Sequence, residues 1–166
     1  MSIRVMSDVF NVDTFWTWAV AQWSDSILAA EMMALQEEHD CVVLELLLMG
    51  WLGRQHWAVS QGAHRQLANT ASSWLNGVVI PLRRTRRSWR EIDDLESQRQ
   101  QLQGLELKAE YALAELYFGA LSHLDSSELV QAEGPTVIEN LHIALTRAHA
   151  TITPERILGL GALLLK

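Results

Sequence analysis

Apolar residues recur at steps of three and four along most of this chain, which is the spacing of helices that each bury one face. The pattern predicts an all-α fold: a single-domain bundle of six or seven helices with a buried central helix and one long amphipathic helix. Glycine and proline are sparse, so few positions interrupt the pattern. The predicted helices cover residues 13–23, 24–38, 41–57, 64–81, 91–124, 135–150 and 154–165.

The helix over residues 41–57 is predicted to be the spine of the fold, because the sequence CVVLELLLMGWLGRQHW is apolar on nearly every side. A buried strand is the competing interpretation for CVVLELLLM, but the length of the run and its leucine-rich composition favour a helix. Glu45 interrupts this run, and a buried carboxylate must be neutral, paired or hydrogen-bonded. We expect a structural ion pair, with an arginine as partner, rather than a general base.

Side chains that can cap a helix mark several of the predicted starts. Asp13 is the predicted cap of the first helix, Ser24 or Asp25 that of the second, and Thr153 that of the last. Pro81 removes a backbone donor, so it is predicted to kink the fourth helix or to begin a new one.

The chain divides into a core, residues 13–124, and a C-terminal helical extension, residues 135–166, joined by a polar link. The long helix over 91–124 keeps apolar residues at steps of three, four or seven, which suits an antiparallel hairpin or a coiled-coil-like seam. Self-association through this seam is a further expectation. The last helix, 154–165, ends in an apolar stretch that packs on the bundle, binds a partner or is poorly ordered.

The composition is that of an ordinary globular protein, with 49% hydrophobic and 20% charged residues among 166. The single cysteine, Cys41, precludes an intramolecular disulfide and is predicted to be a buried, inert thiol. No secretory signal is visible at the N-terminus, and the longest apolar stretch, residues 41–52, is too short to span a bilayer. We therefore expect a cytoplasmic protein without a membrane span.

Charge is the feature that most clearly calls for a partner. The formal net charge is −7, yet five arginines fall within the eight residues 83–90, in the segment PLRRTRRSWR. On a helix these five lie within an arc of about 160°, so they are predicted to form one outward-facing strip. The arginine strip consists of Arg83, Arg84, Arg86, Arg87 and Arg90.

The arginine strip has three interpretations. It is a solvated face with local pairs from Arg87 to Glu91 and from Arg90 to Asp94, or it docks an acidic protein partner, or it binds phosphate or nucleic acid. Arginine makes bidentate, stackable contacts, and tryptophan is the natural neighbouring anchor of such an interface. The candidate anchors are Trp89, which is the nearest in sequence, Trp57 and Trp74.

Chemistry-bearing motifs give little support to an enzyme. Glu139 and His142 form a single Glu-x-x-His pair, whereas di-iron carboxylate bundles need two such pairs and two further carboxylates. Phosphate-binding glycine loops, nucleophile elbows and Cys-x-x-Cys pairs are all absent from the sequence. We therefore expect no metal, no cofactor and no catalytic residue.

Several segments resemble a family of small proteobacterial helical proteins catalogued as a conserved domain of unknown function. The first segment runs continuously from FWTWAVAQW to WLGRQ, and the other two are VVIPLRRTRRSWR and LELKAEYALAEL. Together they span roughly residues 14 to 117. The matching positions include Phe15 and Trp16, Trp51 to Gly53, Pro81 to Arg83, and Lys108. The resemblance implies a bacterial, helical, stand-alone small protein, and it supplies no activity.

These observations together predict a non-enzymatic cytoplasmic interaction or regulatory protein that engages an acidic protein partner through the arginine strip. A small RNA- or nucleotide-binding protein using the same strip is the main alternative, although the net charge disfavours nucleic acid. A helical enzyme with a pocket beside Glu45 is the third.

Overall fold

The computed structural model describes residues 10–147 and 151–166, and in them the chain forms an all-α bundle with one two-stranded sheet. Counted with the bent segment 61–88 as one helix, the described residues contain seven α-helices, so the predicted fold class is confirmed. The segments 1–9 and 148–150 lie outside the described residues, as does the predicted end of the helix over 135–150. The elements are α1 (Val12–Gln22), α2 (Ser26–His39), α3 (Val43–Arg54), β1 (Trp57–Val59), α4 (Gln61–Trp74), α5 (Ile80–Ser88), α6 (Glu96–Leu121), β2 (Leu129–Gln131), α7 (Val137–Arg147) and α8 (Pro154–Leu164).

Short polar side chains cap the N-termini of α1, α2, α4 and α8. Asp25 Oδ1 accepts a hydrogen bond from the backbone N–H of Ile27 at 2.9 Å, and Thr153 caps α8, so both predicted caps are confirmed. The predicted cap of α1 is wrong: Asn11, two residues earlier, accepts from the backbone N–H of Asp13 at 2.8 Å. Asp13 therefore sits in the first turn, where its charge complements the helix dipole.

The helix α3 is the spine that the apolar run predicts, since every residue from 46 to 53 is buried. It ends three residues earlier than predicted, at Arg54, and the chain turns at His56, whose φ of 64° is left-handed. The residues that follow form β1, which pairs antiparallel with β2 inside the predicted polar link. Neither strand is predicted, because each is three residues long and too short for an alternating pattern to register.

The predicted fourth helix is divided by a wide turn. The helix α4 ends at Trp74, a π-helical turn covers Leu75–Val79, and α5 begins at Ile80. Pro81 lies in the first turn of α5, the position where its missing N–H costs least. The backbone at Trp74, Leu75, Val79 and Ile80 is right-handed helical, so the helical segment continues through the π-helical turn. The long helix is confirmed as α6, 26 residues, although its predicted first residues instead form a 3₁₀ turn over Asp93–Leu95.

The C-terminal helices pack on the same core as the rest of the chain. The backbone of Gly53 in α3 accepts a hydrogen bond from Thr136 N–H at 3.0 Å, immediately before α7. Asn140 of α7 is fully buried and binds the backbone of Met49, Trp57 and Val59. Of the three outcomes stated for the last helix, the structure shows packing on the bundle, because α8 buries Ile157, Leu160 and Leu164.

Two further properties concern the core and its apolar helices. Cys41 is buried, as predicted, and burial raises the pKa of its thiol to about 11, which disfavours the thiolate form at neutral pH. None of the helices in residues 10–147 and 151–166 combines the length and apolarity needed to cross a bilayer.

Candidate functional site

A cleft of about 530 Å³ opens between five helices on the side of the molecule where the arginines lie. Its volume falls within the roughly 300–1,000 Å³ typical of ligand-binding pockets. Helices α1, α2 and α3 form an apolar wall, and α5 and α6 form a charged wall. The lining residues are Trp16, Ala19, Val20, Trp23, Ser24, Met33, Gln36, Val43, Leu44, Leu47, Arg83, Arg86, Arg87, Gln103, Glu106, Leu107 and Glu110.

Both walls of the cleft carry large apolar side chains that are left in contact with solvent. Val20 of α1 is 54% exposed, Trp23, the residue directly after α1, is 43% exposed, and both line the cleft. Leu107 of α6 is 47% exposed on the opposite side. Exposed apolar side chains gathered in one concave patch with a polar rim are typical of an interaction site.

The charged wall is a network of ion pairs between α5 and α6. Arg83 Nε donates to Glu106 Oε1 at 3.1 Å, and its Nη2 donates to Glu110 Oε1 at 2.7 Å. Arg86 Nε donates to Glu106 Oε2 at 2.5 Å. Glu106 therefore accepts from two guanidinium groups, and this bridging fixes α5 against α6.

The two carboxylates of this wall differ in pKa. Burial alone raises the pKa of Glu106, but the hydrogen bonds from Arg86 and Arg83 outweigh it and leave that pKa below the ordinary value. Burial also raises the pKa of Glu110, and its single arginine partner, Arg83, does not reverse the rise. The arginine hydrogen bonds thus favour the charged form of Glu106, whereas burial opposes the ionisation of Glu110.

Arg87 is the arginine of the cleft that the internal network leaves out. Its Nη2 lies 3.8 Å from Oε1 of Glu37 in α2, which is an ion pair too long for a hydrogen bond. No side chain or backbone group of the described residues accepts a hydrogen bond from this buried nitrogen. About a third of the Arg87 side chain, 34%, remains exposed.

The prediction of one outward-facing strip is wrong for Arg83 and Arg86, whose side chains point to α6 and are only 16% and 25% exposed. Local sequence could not reveal this, because the acceptor Glu106 lies 23 positions after Arg83 and 20 positions after Arg86. Arg84 and Arg90 are exposed, as predicted. Among the ion pairs of the described residues, Arg87 pairs with Glu37 instead of Glu91, and no pair joins Arg90 to Asp94.

The tryptophans that line the cleft are Trp16 and Trp23, and neither was proposed as an anchor. Trp57 is buried in β1, and Trp74 is partly buried, with its Nε1 donating to the backbone of Ala109 at 2.8 Å. Trp89 follows the last residue of α5 and is outside the cleft lining, so its role as an anchor stays a prediction. The spacing of Trp16, Trp18 and Trp23 prevents all three from facing one core, and this is the sequence signal that could have found an exposed tryptophan here.

Glu45 lies in a separate polar cluster behind the cleft. Its Oε1 is 2.5 Å from Nε2 of His64, and its Oε2 accepts a hydrogen bond from the hydroxyl of Tyr117 at 3.1 Å. The predicted arginine partner is therefore wrong, since a histidine and a tyrosine from α4 and α6 supply the contacts. The cluster joins three helices, and Glu45 does not line the cleft.

No three histidine, cysteine or acidic side chains in the described ranges come together in an arrangement that could hold a metal ion. His142, which the sequence places one turn from Glu139, is exposed on α7.

The architecture and the cleft define the molecule as a small single-cysteine helical-bundle protein with a charged and apolar cleft among its helices. The chain belongs to the family described as Protein of unknown function (DUF2390), whose model matches residues 14–116. No curated protein and no solved structure gives a significant match to it. The matched segment holds all the residues that line the cleft and ends before β2, α7 and α8.

Proposed function

We propose that this protein is a non-enzymatic interaction or regulatory protein of the cytoplasm, which binds an acidic segment of a partner protein in the cleft. The observation that carries the proposal is Arg87, which lines an apolar cleft and has a guanidinium nitrogen without a hydrogen-bond acceptor among the described residues. A buried polar group left without a partner costs about 1–3 kcal/mol, and more when it is charged. A carboxylate from a partner would satisfy it.

The apolar wall supports a protein partner. Trp23, Val20 and Leu107 offer exposed apolar area beside the guanidinium, and interfaces combine aromatic and arginine anchors in this way. Binding at the cleft would remove that apolar area from water, which is the main favourable term in protein association.

The charge distribution favours a short acidic segment over a nucleic acid. Arg83 and Arg86 already form ion pairs with Glu106 and Glu110, so two of the five arginines are not available to bind phosphate groups. Directly after α5 come four exposed acidic side chains, which repel a long polyanion. They are Glu91, Asp93, Asp94 and Glu96.

Affinity capture from bacterial lysate tests the proposal, with the wild type compared with Arg87→Glu and with a matched control, Arg65→Glu. Arg65 is an exposed arginine of α4 outside the cleft. We expect one or more proteins that the wild type and the control retain and that Arg87→Glu loses, in the presence of nuclease. If nuclease abolishes the retention and the binding weakens steeply with salt, the partner is RNA and not a protein. Identical profiles for all three proteins would contradict both.

A further inference from the structure

We propose that Glu37 acts as an internal competitor for Arg87, and that the partner segment is an amphipathic helix whose carboxylate displaces it. This inference rests on the proposed function and specifies its partner and its control. It starts from the observation that one guanidinium serves both the cleft and an ion pair to α2.

The pair between Arg87 and Glu37 has the properties of a contact that is easily exchanged. The 3.8 Å separation is about 1 Å longer than a charge-assisted hydrogen bond. The Glu37 side chain is 61% exposed, and ion pairs of exposed side chains contribute little to stability. A carboxylate that approached Arg87 within hydrogen-bond distance would therefore replace Glu37 at small cost.

The other carboxylates nearby on α2 are bound elsewhere. Arg156 of α8 donates to Glu31 at 2.5 Å and to Glu38 at 2.7 Å, so a second arginine holds both of them. Glu37 pairs instead with Arg87 of α5. The helix that carries the competitor is thus fixed by Arg156, and the exchange at Arg87 needs no movement of α2.

The apolar wall has the form of a ridge that suits a helix. Trp16, Ala19 and Val20 of α1 and Trp23, the residue directly after it, all line the cleft. Ala19 and Val20 lie three and four positions after Trp16, and Trp23 lies four and three positions after them, so the four share one face. A partner helix that packs on such a ridge presents its own apolar residues at the same spacing. The charged group that meets Arg87 then lies on the flank of that helix, within one turn of an apolar anchor.

Selection from a random peptide display library tests the inference without knowledge of the natural partner. The library is selected on the wild type, and the dissociation constants of the enriched peptides are measured on four variants. Arg87→Gln removes the proposed anchor, and Glu37→Gln removes the proposed competitor. Arg65→Gln and Glu115→Gln are the controls, since both residues are exposed and lie outside the cleft.

We expect enriched peptides in which Asp or Glu lies within one turn of apolar residues spaced by three or four. Glu37→Gln should tighten their binding about two- to fivefold, the effect of one partly exposed ion pair, and Arg87→Gln should weaken it at least as much. The two controls should leave affinity unchanged. A gain of affinity on removing Glu37 distinguishes competition from a purely structural role, which would predict a loss.

Two results would overturn the inference, and they differ in what they leave standing. If Arg87→Gln weakens acidic peptides while Glu37→Gln leaves them unchanged, the competitor role is wrong and the proposed function stands. If the selection yields no cleft-dependent peptides, or peptides without acidic residues, the cleft is not an acidic docking site and both proposals fail.

Discussion

Glu106 and Glu110 lie one turn apart on α6 and share Arg83, yet their pKa values move in opposite directions. The difference follows from the number of partners, because Glu106 also binds Arg86 and Glu110 does not. At the scale of single residues, the charged wall therefore contains one carboxylate that stabilises the fold in its ionised form and one that opposes ionisation.

The lowered pKa of Glu106 predicts how Glu106→Gln will behave with pH. A carboxyl whose pKa is lower in the folded state adds stability above its unfolded value, near 4.5, and loses it as pH falls through the folded pKa. At pH 7 we expect the variant to have a free energy of unfolding about 2 kcal/mol below that of the wild type. Denaturant unfolding at several pH values should show this difference shrinking below about pH 4.5. A difference independent of pH would contradict the assignment.

Glu110→Gln should show the opposite dependence. Because the folded state raises the pKa of Glu110, ionising that carboxyl costs stability as pH rises from its unfolded value toward the folded one. The variant should therefore gain stability relative to the wild type as pH rises above the unfolded value, near 4.5. The same unfolding series measures it, and a relative loss with rising pH would show that the pair with Arg83 outweighs burial.

The cluster around Glu45 is predicted to be structural. Glu45→Leu removes the acceptor that this carboxylate offers to His64 and to Tyr117, both about 1% exposed. We expect a loss of roughly 3 kcal/mol in the free energy of unfolding, the cost of two such buried contacts. Glu91→Leu, at an exposed position, is the control. If the two variants are equally stable, Glu45 has no structural role.

At this scale the sequence predicts that a residue needs a polar contact, but it does not predict which residue makes that contact. A carboxylate inside an apolar run had to be paired, and Glu45 is. The partners come from helices α4 and α6, nineteen and seventy-two positions away along the chain. Local sequence patterns do not show which distant residues come into contact. The contacts of Glu45 are therefore made by a histidine and a tyrosine, and not by the predicted arginine.

At the scale of elements, the close approach of α3 to the segment before α7 depends on one glycine. A Cβ on Gly53 would lie 2.5 Å from the backbone nitrogen of Val137, and backbone cannot move aside as a flexible side chain can. Gly53→Ala should therefore destabilise the protein by about 2 kcal/mol or more, by forcing α7 away from the core.

Gly119→Ala provides the matched comparison for that prediction. Gly119 is an exposed helical glycine of α6 with no atom within 4 Å of an added Cβ. Alanine there should raise the free energy of unfolding by about 0.5–1 kcal/mol, because it restricts the unfolded chain and favours the helix. Thermal and denaturant unfolding of both variants measure the contrast, and a similar loss at the two positions would contradict it.

Periodicity predicts elements well where they are long. The amphipathic stripe of α6 and the all-round apolar α3 were both predicted, because many residues report the same period. The strands β1 and β2 and the π-helical turn at Leu75–Val79 were missed, since three to five residues cannot establish a period. The cleft lies between five helices that are far apart along the chain, α1, α2, α3, α5 and α6. Local periodicity does not report which helices pack together, so the apolar wall was not predicted.

At the scale of the whole molecule, the core extends beyond the segment that the family model matches. Val137, Leu141 and Leu164 are almost fully buried in the same hydrophobic cluster as Leu48 and Leu52. A fragment ending at residue 124 would leave this side of α3 open to water. We expect such a fragment to lack cooperative thermal unfolding, measured by circular dichroism, whereas the full chain unfolds in one transition. Cooperative unfolding of the fragment would show that the C-terminal helices are dispensable.

The most direct test of the central claim is site-specific photo-cross-linking from the cleft during growth of the host cell. A benzophenone amino acid replaces Val20, which lines the cleft, and in a second protein replaces Val130, an exposed residue of β2 outside it. We expect a discrete protein adduct from position 20 that Arg87→Glu abolishes and that position 130 does not form. Adducts that are equal at the two positions, or that persist in Arg87→Glu, would contradict the cleft as the site of interaction.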